Sequence, residues 1–190
     1  MRRIGFFLFS LLILSSCNNP LNNQAVSETK DWKTELDEQL PLLGHRNWIL
    51  VVDKAFPAQT AEGISTIYTH SGILNVLDYT LSEISKATHI EPIVYLDKEL
   101  DFISEDLFPG INEFRKQLSK ALEKSGTVET KSILHDSVFV KIDEASRLFN
   151  VLVLKTNQTI PYSSVFIELG CKYWQPAQEA KLREVMENNP

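Results

Sequence analysis

The sequence predicts an α/β fold: one domain in which helices flank a mainly parallel β-sheet. Short apolar runs rich in β-branched residues alternate with longer segments in which apolar residues recur every third or fourth position. This alternation is typical of layered folds in which helices connect parallel strands. The chain has 190 residues, 43% of them hydrophobic, which suffices for one well-formed core with a short tail at each end.

Short apolar segments predict the strands. The strongest segment is 48–52, Trp-Ile-Leu-Val-Val, whose residues are all apolar. A strand of this composition fits the interior of a sheet that is covered on both faces. The weakest is 128–134, which contains several polar residues. The predicted strands are 48–52, 64–68, 92–96, 128–134, 151–154 and 165–169.

Amphipathic segments between the strands predict the helices. The clearest helix opens at Pro109 and Gly110, runs to about residue 124, and carries its apolar residues on one face. Asp136 is suited to cap the next helix, which we expect to end near residue 149. The remaining helices are predicted over 31–40, 74–86 and 175–187.

The N-terminus has the pattern of an export signal. Arg2 and Arg3 precede an apolar stretch, 4–14, that is too short to span a bilayer, and Leu14-Ser15-Ser16-Cys17 closes it. This pattern resembles a bacterial lipoprotein signal, which implies removal of residues 1–16 and lipidation of Cys17. The alternative is an ordinary secretory peptide with an incidental cysteine. The polar segment 17–30 is predicted to be a flexible tether.

Composition limits the function classes. The net charge is −6 and the charged residues are dispersed, which argues against nucleic-acid binding. An anionic domain has no reason to lie on anionic lipid, so we expect attachment to the bacterial cell envelope through the lipid anchor only. The sequence has no GxGxxG, P-loop, HxH or HExxH motif, and hence no pattern that predicts a nucleotide cofactor or a metal site.

The chain has two cysteines, Cys17 and Cys171. Lipidation of Cys17 would leave Cys171 without a partner, so a disulfide framework is excluded on this interpretation. Because Cys171 lies in an apolar segment, we expect it to be a buried free thiol.

The stretch from Gly44 to Pro57, GHRNWILVVDKAFP, combines a histidine with a buried strand that ends in Asp53. Open α/β sheets place ligand-binding groups at the carboxyl ends of their strands. The alternative interpretation is structural, because an aspartate after a strand often bonds its own backbone in a turn. On the same interpretation, His45 is an ordinary loop residue.

This stretch resembles the opening signature of the RbsD/FucU family, the D-ribose pyranases and L-fucose mutarotases. Gly44, His45, Asp53 and Pro57 fit the pattern of Gly-His, a polar link, an apolar strand, and Asp with a following Pro. The resemblance continues in the second half. There a histidine begins a helix and a tyrosine precedes the last strand, as His135 and Tyr162 do here. It spans about residues 32–174, which sets the predicted domain at 31–174 and a helical tail at 175–190.

The resemblance implies that the chain is a mutarotase or pyranase, an isomerase that interconverts anomers or ring forms of a free monosaccharide such as fucose or ribose. No metal and no cofactor is implied. By resemblance His45 is the catalytic proton donor. The implied substrate-binding residues are Asp53, His135, Tyr162, Ser163 and Ser164.

Two departures from the family pattern affect the sugar site. Ser164 replaces the family's asparagine, and its hydroxyl is shorter than an amide and has fewer donors. Lys54 replaces the small residue usual after the aspartate and adds a charge at the pocket edge. The signals for the sugar conflict, because Phe56-Pro57-Ala58 resembles the fucose branch and His135 the ribose branch.

The spacing of His45 and Asp53 constrains the assembly. Eight positions separate them, a span of roughly 26 Å if the chain is extended. One pocket can hold both if the Gly44 loop folds back or if a second copy supplies one of them. We therefore expect a homo-oligomer with sites at subunit contacts. The alternatives are a non-catalytic sugar-binding envelope lipoprotein and a purely structural one.

Overall fold

The computed structural model of the protein describes residues 31–126 and 129–189. The strands in this part of the chain are β1 (Trp48–Val52), β2 (Ile64–Tyr68), β3 (Ile90–Asp97), β4 (Glu129–Ile133), β5 (Val151–Lys155) and β6 (Val165–Cys171). The α-helices are α1 (Trp32–Gln39), α2 (Ile73–Lys86), α3 (Ile111–Lys124), α4 (His135–Ser146) and α5 (Pro176–Asn188). Two 3₁₀ turns, Leu40–Leu42 and Lys98–Phe102, follow α1 and β3.

The strands form one six-stranded sheet in the order β2-β5-β1-β6-β3-β4. The pairs β2–β5, β5–β1 and β3–β4 are parallel, whereas β6 runs antiparallel to both β1 and β3. This confirms the predicted α/β fold, with a sheet that is mixed rather than uniformly parallel. The reason is that a parallel return needs a long crossover, usually a helix, and no helix lies between β5 and β6.

Both faces of the sheet are covered, and β1 contributes to both cores. Ile49 and Val51 pack on the side of α1, α2 and α3. Trp48, Leu50 and Val52 pack on the opposite side, beneath α4. All five residues of β1 are buried, as its continuous apolar sequence predicts.

Element boundaries differ from the prediction at two places that bear on the site. The third strand extends past residue 96 to Asp97. The helix α4 begins at His135, which places Asp136 inside the helix. The prediction that Asp136 is the N-cap is therefore wrong. Leu134 takes that position without a side-chain hydrogen bond. The Glu99 carboxylate accepts the backbone N–H of His135 instead, at 3.1 and 3.2 Å, and so satisfies a donor that the helix start leaves open.

The C-terminal helix α5 buries none of its residues. Cys171, expected to be buried, is only half-buried at the end of β6. Residues 1–30 lie outside the described part of the chain, so the signal peptide, the lipidation of Cys17 and the tether stay predictions. Within 31–126 and 129–189, no helix is long and apolar enough to cross a membrane.

A glycine lets the C-terminal end of α4 approach the start of β2. A Cβ atom on Gly63 would collide with the backbone oxygen of Ser146 and lie 2.9 Å from that of Phe149. We expect Gly63→Ala to destabilise the fold by about 1–3 kcal/mol because backbone atoms must move. Gly72→Ala is the control, since a Cβ there meets nothing within 4 Å, and it should stay within about 1 kcal/mol of the wild type. Urea unfolding measures both, and equal effects would contradict the steric explanation.

Candidate functional site

The topology gathers several polar residues at one edge of the sheet. Because β6 is antiparallel to both β1 and β3, the ends of β1 and β3 lie beside the start of β6. The parallel pairing of β3 and β4 brings the end of β4, and hence the start of α4, to the same edge. Asp53 directly follows β1, Asp97 is the last residue of β3, and Ser164 directly precedes β6. His135 begins α4, two positions after the end of β4.

One backbone N–H and one side chain fix the carboxylate of Asp53 between β1 and β6. Its Oδ1 accepts the backbone N–H of Ala55 at 2.8 Å, and its Oδ2 accepts the Ser164 hydroxyl at 2.8 Å. The Asp53 backbone N–H in turn donates to Ser164 Oγ at 3.1 Å. A carboxylate has about four acceptor positions, so Asp53 is held in place and still has capacity for hydroxyl donors.

The second carboxylate of the site is Asp97, whose side chain is fully buried at the end of β3. Its Oδ2 lies 2.9 Å from Nδ1 of His135, while its Oδ1 has no hydrogen bond to any residue of the described ranges. Burial raises the pKa of Asp97 from 3.8 to about 6. The hydrogen bond and charge of His135 oppose this rise, and the charges of Glu99 and Asp53 add to it.

Aromatic rings surround the imidazole of His135. The ring centroids of His135 and Tyr162 are 5.3 Å apart with the planes nearly perpendicular, and Phe139 lies 4.9 Å away in a similar orientation. Phe139 also stacks on Phe56, which follows β1. Tyr162 is 38% exposed and adopts a positive φ of 55°. An exposed ring beside buried polar groups offers an apolar surface with a hydroxyl at its end.

The structure brings four of the predicted site residues together and separates two. Asp53 and Ser164 share hydrogen bonds, His135 and Tyr162 share a ring contact, and Tyr162 is two positions from Ser164. Ser163 is fully buried, and its hydroxyl donates to the Ile160 carbonyl at 2.6 Å. His45 is exposed in the turn before β1, at the opposite edge of the sheet from Asp53. The roles given to these residues stay predictions.

Sequence reasoning missed Asp97 and Glu99. A signal for Asp97 existed, because it follows an apolar strand in the same way that Asp53 follows β1. The strand is predicted to end at residue 96, and no role is assigned to the aspartate that follows it. Glu99 had no local signal, since its contact with His135 joins positions 36 apart in the chain.

The model of the RbsD / FucU transport protein family matches residues 30–172. The chain belongs to this family. The match covers most of the sequence and includes every strand and each helix from α1 to α4. No curated protein matches the sequence.

Two solved structures are similar to this chain. The fucose mutarotase of Streptococcus pneumoniae, solved with L-fucose, is 16% identical, with a TM-score of 0.53 over 75% of this chain and 97% of that one. RbsD of Bacillus subtilis, solved with D-ribose, is 18% identical, with a TM-score of 0.48 over 72% of this chain and 92% of that one. The fold of this chain is thus shared with a fucose mutarotase.

The buried carboxyl of Asp97 predicts a pH-dependent stability. A pKa raised from 3.8 to about 6 in the folded state means that the native protein binds a proton more tightly than the unfolded chain does. The resulting stabilisation is present below pH 3.8 and is lost as the pH rises through 6. At about 1.4 kcal/mol per pKa unit, the loss is about 3 kcal/mol.

Asp97→Asn cannot ionise, so its free energy of unfolding should rise relative to that of the wild type between pH 4 and pH 7, by about 2–3 kcal/mol. Urea unfolding at several pH values measures this difference. Asp136→Asn removes the same charge from an exposed position next to His135 and should show no such trend. A pH-independent difference for Asp97→Asn would contradict the assignment.

Proposed function

We propose that the protein is a mutarotase or pyranase that interconverts the cyclic forms of a free monosaccharide. The observation that carries the proposal is the convergence of Asp53, His135, Tyr162 and Ser164 at one edge of the sheet. They come from three separate segments of a chain that belongs to the RbsD/FucU family. Convergence of acceptors, an imidazole and an aromatic surface fits a neutral, hydroxyl-rich ligand.

The reaction needs only proton transfers. A base takes the proton from the anomeric hydroxyl while an acid gives a proton to the ring oxygen. The bond between the anomeric carbon and the ring oxygen then breaks, and its electron pair stays on the oxygen. Closure on the other face, or by another hydroxyl, reverses these transfers and gives the new form. An imidazole suits both roles because it titrates near neutral pH.

Asp53 and Tyr162 are assigned to substrate binding. The free acceptor positions of Asp53 take hydrogen bonds from sugar hydroxyls, which a charged acceptor strengthens. The Tyr162 ring packs against the C–H side of the sugar, and Tyr162 is exposed enough for its hydroxyl to bond the sugar as well. Ser164 acts mainly through Asp53, because its hydroxyl already donates to that carboxylate.

His45 is assigned as the proton donor and comes from a second copy of the chain. It is exposed at the edge opposite Asp53, so one chain cannot place it beside His135. A homo-oligomer with sites at the subunit contacts brings the two edges together. The lipid anchor at Cys17 and the location in the bacterial envelope belong to the same proposal, in which the sugar is met outside the cytoplasm.

The second candidate is a sugar-binding lipoprotein without catalysis. It is favoured by Ser164, because a hydroxyl that is already engaged with Asp53 offers the sugar less than the family's asparagine would. Such a protein would keep Asp53 and Tyr162 as ligand contacts and have no need of His45.

Exchange between sugar anomers, measured by NMR saturation transfer, separates the two candidates. With L-fucose, D-ribose or D-galactose, the wild type should accelerate exchange, and His45→Ala should reduce the rate by about 100-fold or more because the acid is lost. His89→Gln, which removes an imidazole at the same edge and can still donate to the Leu43 carbonyl that His89 contacts, should remain active. Binding of a sugar without accelerated exchange would support the second candidate.

Mixing two inactive variants tests the shared site. His45→Ala and Asp53→Asn should each be inactive alone, and subunit exchange between them should restore part of the activity. In mixed assemblies some contacts join an intact His45 to an intact Asp53. Sedimentation measures the assembly in parallel. A monomer at micromolar concentration, or mixtures that stay inactive despite proven subunit exchange, would contradict a site shared between copies.

A further inference from the structure

The buried contact between Asp97 and His135 has no role in the substrate binding described above. The Asp97 side chain has no solvent exposure, whereas that of His135 is 33% exposed. The carboxylate therefore contacts the ring from inside the protein, and the remainder of the imidazole faces the site. This places a titratable pair, one member buried and the other accessible, beside Asp53 and Tyr162.

The contact is not needed to begin α4. Glu99 already accepts the backbone N–H of His135 with both carboxylate oxygens, and Val138, Ile142 and Ala145 bury the helix against the sheet. A buried carboxylate with an unpartnered oxygen is costly to maintain. The buried Asp97 carboxylate costs stability and is not needed to start the helix. Its contact with His135 is therefore better explained by the chemistry of that imidazole.

The hydrogen bond selects one form of the imidazole. When Asp97 accepts a proton from Nδ1, the neutral ring carries no proton on Nε2, and Nε2 becomes an acceptor. Asp97 at the end of β3 contacts the ring itself, and Glu99 in the 3₁₀ turn binds the backbone N–H of the same histidine. Asp53 after β1 is close enough to Asp97 for the charges of the two carboxyl groups to interact. The ionised Asp97 carboxylate, in contact with the ring, attracts the positive charge that the ring carries once Nε2 has taken up a proton.

We propose that Asp97 is a positioning residue that holds His135 as the Nδ1–H tautomer, so that Nε2 of His135 accepts the proton of the anomeric hydroxyl. The inference rests on the proposed ring-opening function. His45 is the acid of that reaction, and His135 is here assigned as the base. The hydroxyl proton moves to Nε2 and the ring bond breaks. The ring oxygen takes its proton from His45 of a second copy. Ring closure reverses both transfers and restores the two histidines.

The tautomer of His135 can be read without any substrate. In the full-length chain labelled with ¹⁵N-histidine, the His135 signals are assigned by their absence in His135→Gln. At a pH where the ring is neutral, the ¹⁵N shifts should show a protonated Nδ1 and an unprotonated Nε2. A predominant Nε2–H tautomer in the wild type would overturn the proposal. Because this measurement needs no buried substitution, it does not depend on a variant that folds.

Asp97→Asn tests the consequence for catalysis. Its amide can turn its NH₂ group toward Nδ1 and favour the wrong tautomer, so the rate constant for anomer exchange should fall by about 10²–10⁴-fold. The equilibrium affinity for the sugar should stay within about threefold, because Asp97 does not touch the substrate. Asp136→Asn, one position along and exposed, should keep the wild-type rate and tautomer.

The outcomes separate the inference from the function on which it rests. An active wild type whose exchange rate is unchanged in a folded Asp97→Asn variant overturns the role of Asp97 alone. An equal loss of affinity and rate overturns it as well, because the residue would then act on binding. A wild type that accelerates no sugar exchange overturns the proposed function, and with it the role of His135 as a base. A slow Asp97→Asn variant with intact affinity and an altered His135 tautomer supports the proposal.

Discussion

The hydrogen bonds between Asp53 and Ser164 join the two segments on which the site depends. Asp53 follows β1, the most buried strand, and Ser164 precedes β6, the strand that reverses the direction of the sheet. Because Ser164 both donates to the Asp53 carboxylate and accepts from its backbone N–H, the two strand ends are held in one register. Tyr162 lies two residues from this link, so the same bonds set its position relative to His135.

The reversal at β6 also explains why the polar residues meet at a single edge. In a uniformly parallel sheet the starts and ends of neighbouring strands lie at opposite edges. Here β6 starts where β1 and β3 end, which adds Ser164 and Tyr162 to an edge that already carries Asp53 and Asp97. The parallel strand β4 then delivers His135 at the start of α4. A mixed sheet thereby gathers more side chains at one edge than its parallel part alone would.

The sequence predicts the elements of this fold well and their contacts only in part. The spacing of apolar residues and the local composition are enough to predict β1 and α3, because the burial pattern of each element can be read from its own segment of the chain. Asp53 is predictable for the same reason, as the polar residue that ends a fully apolar strand. The direction of β6 is not local, since it depends on which strand it joins. The contact of Asp97 with His135 spans 38 positions, and only the assembled sheet brings them together.

Under the proposed function, the charges at this edge favour an uncharged sugar. Three carboxyl groups, those of Asp53, Asp97 and Glu99, are close enough for their charges to interact at this edge, and Lys54 next to Asp53 is exposed. A sugar phosphate would bring a further negative charge close to these groups and lose its hydration without a basic cluster to replace it. A neutral monosaccharide avoids this repulsion and offers the hydroxyl donors that carboxylates accept. On the proposed function, the carboxyl groups at this edge would therefore select against phosphorylated sugars, which links the charge of the site to the choice of substrate.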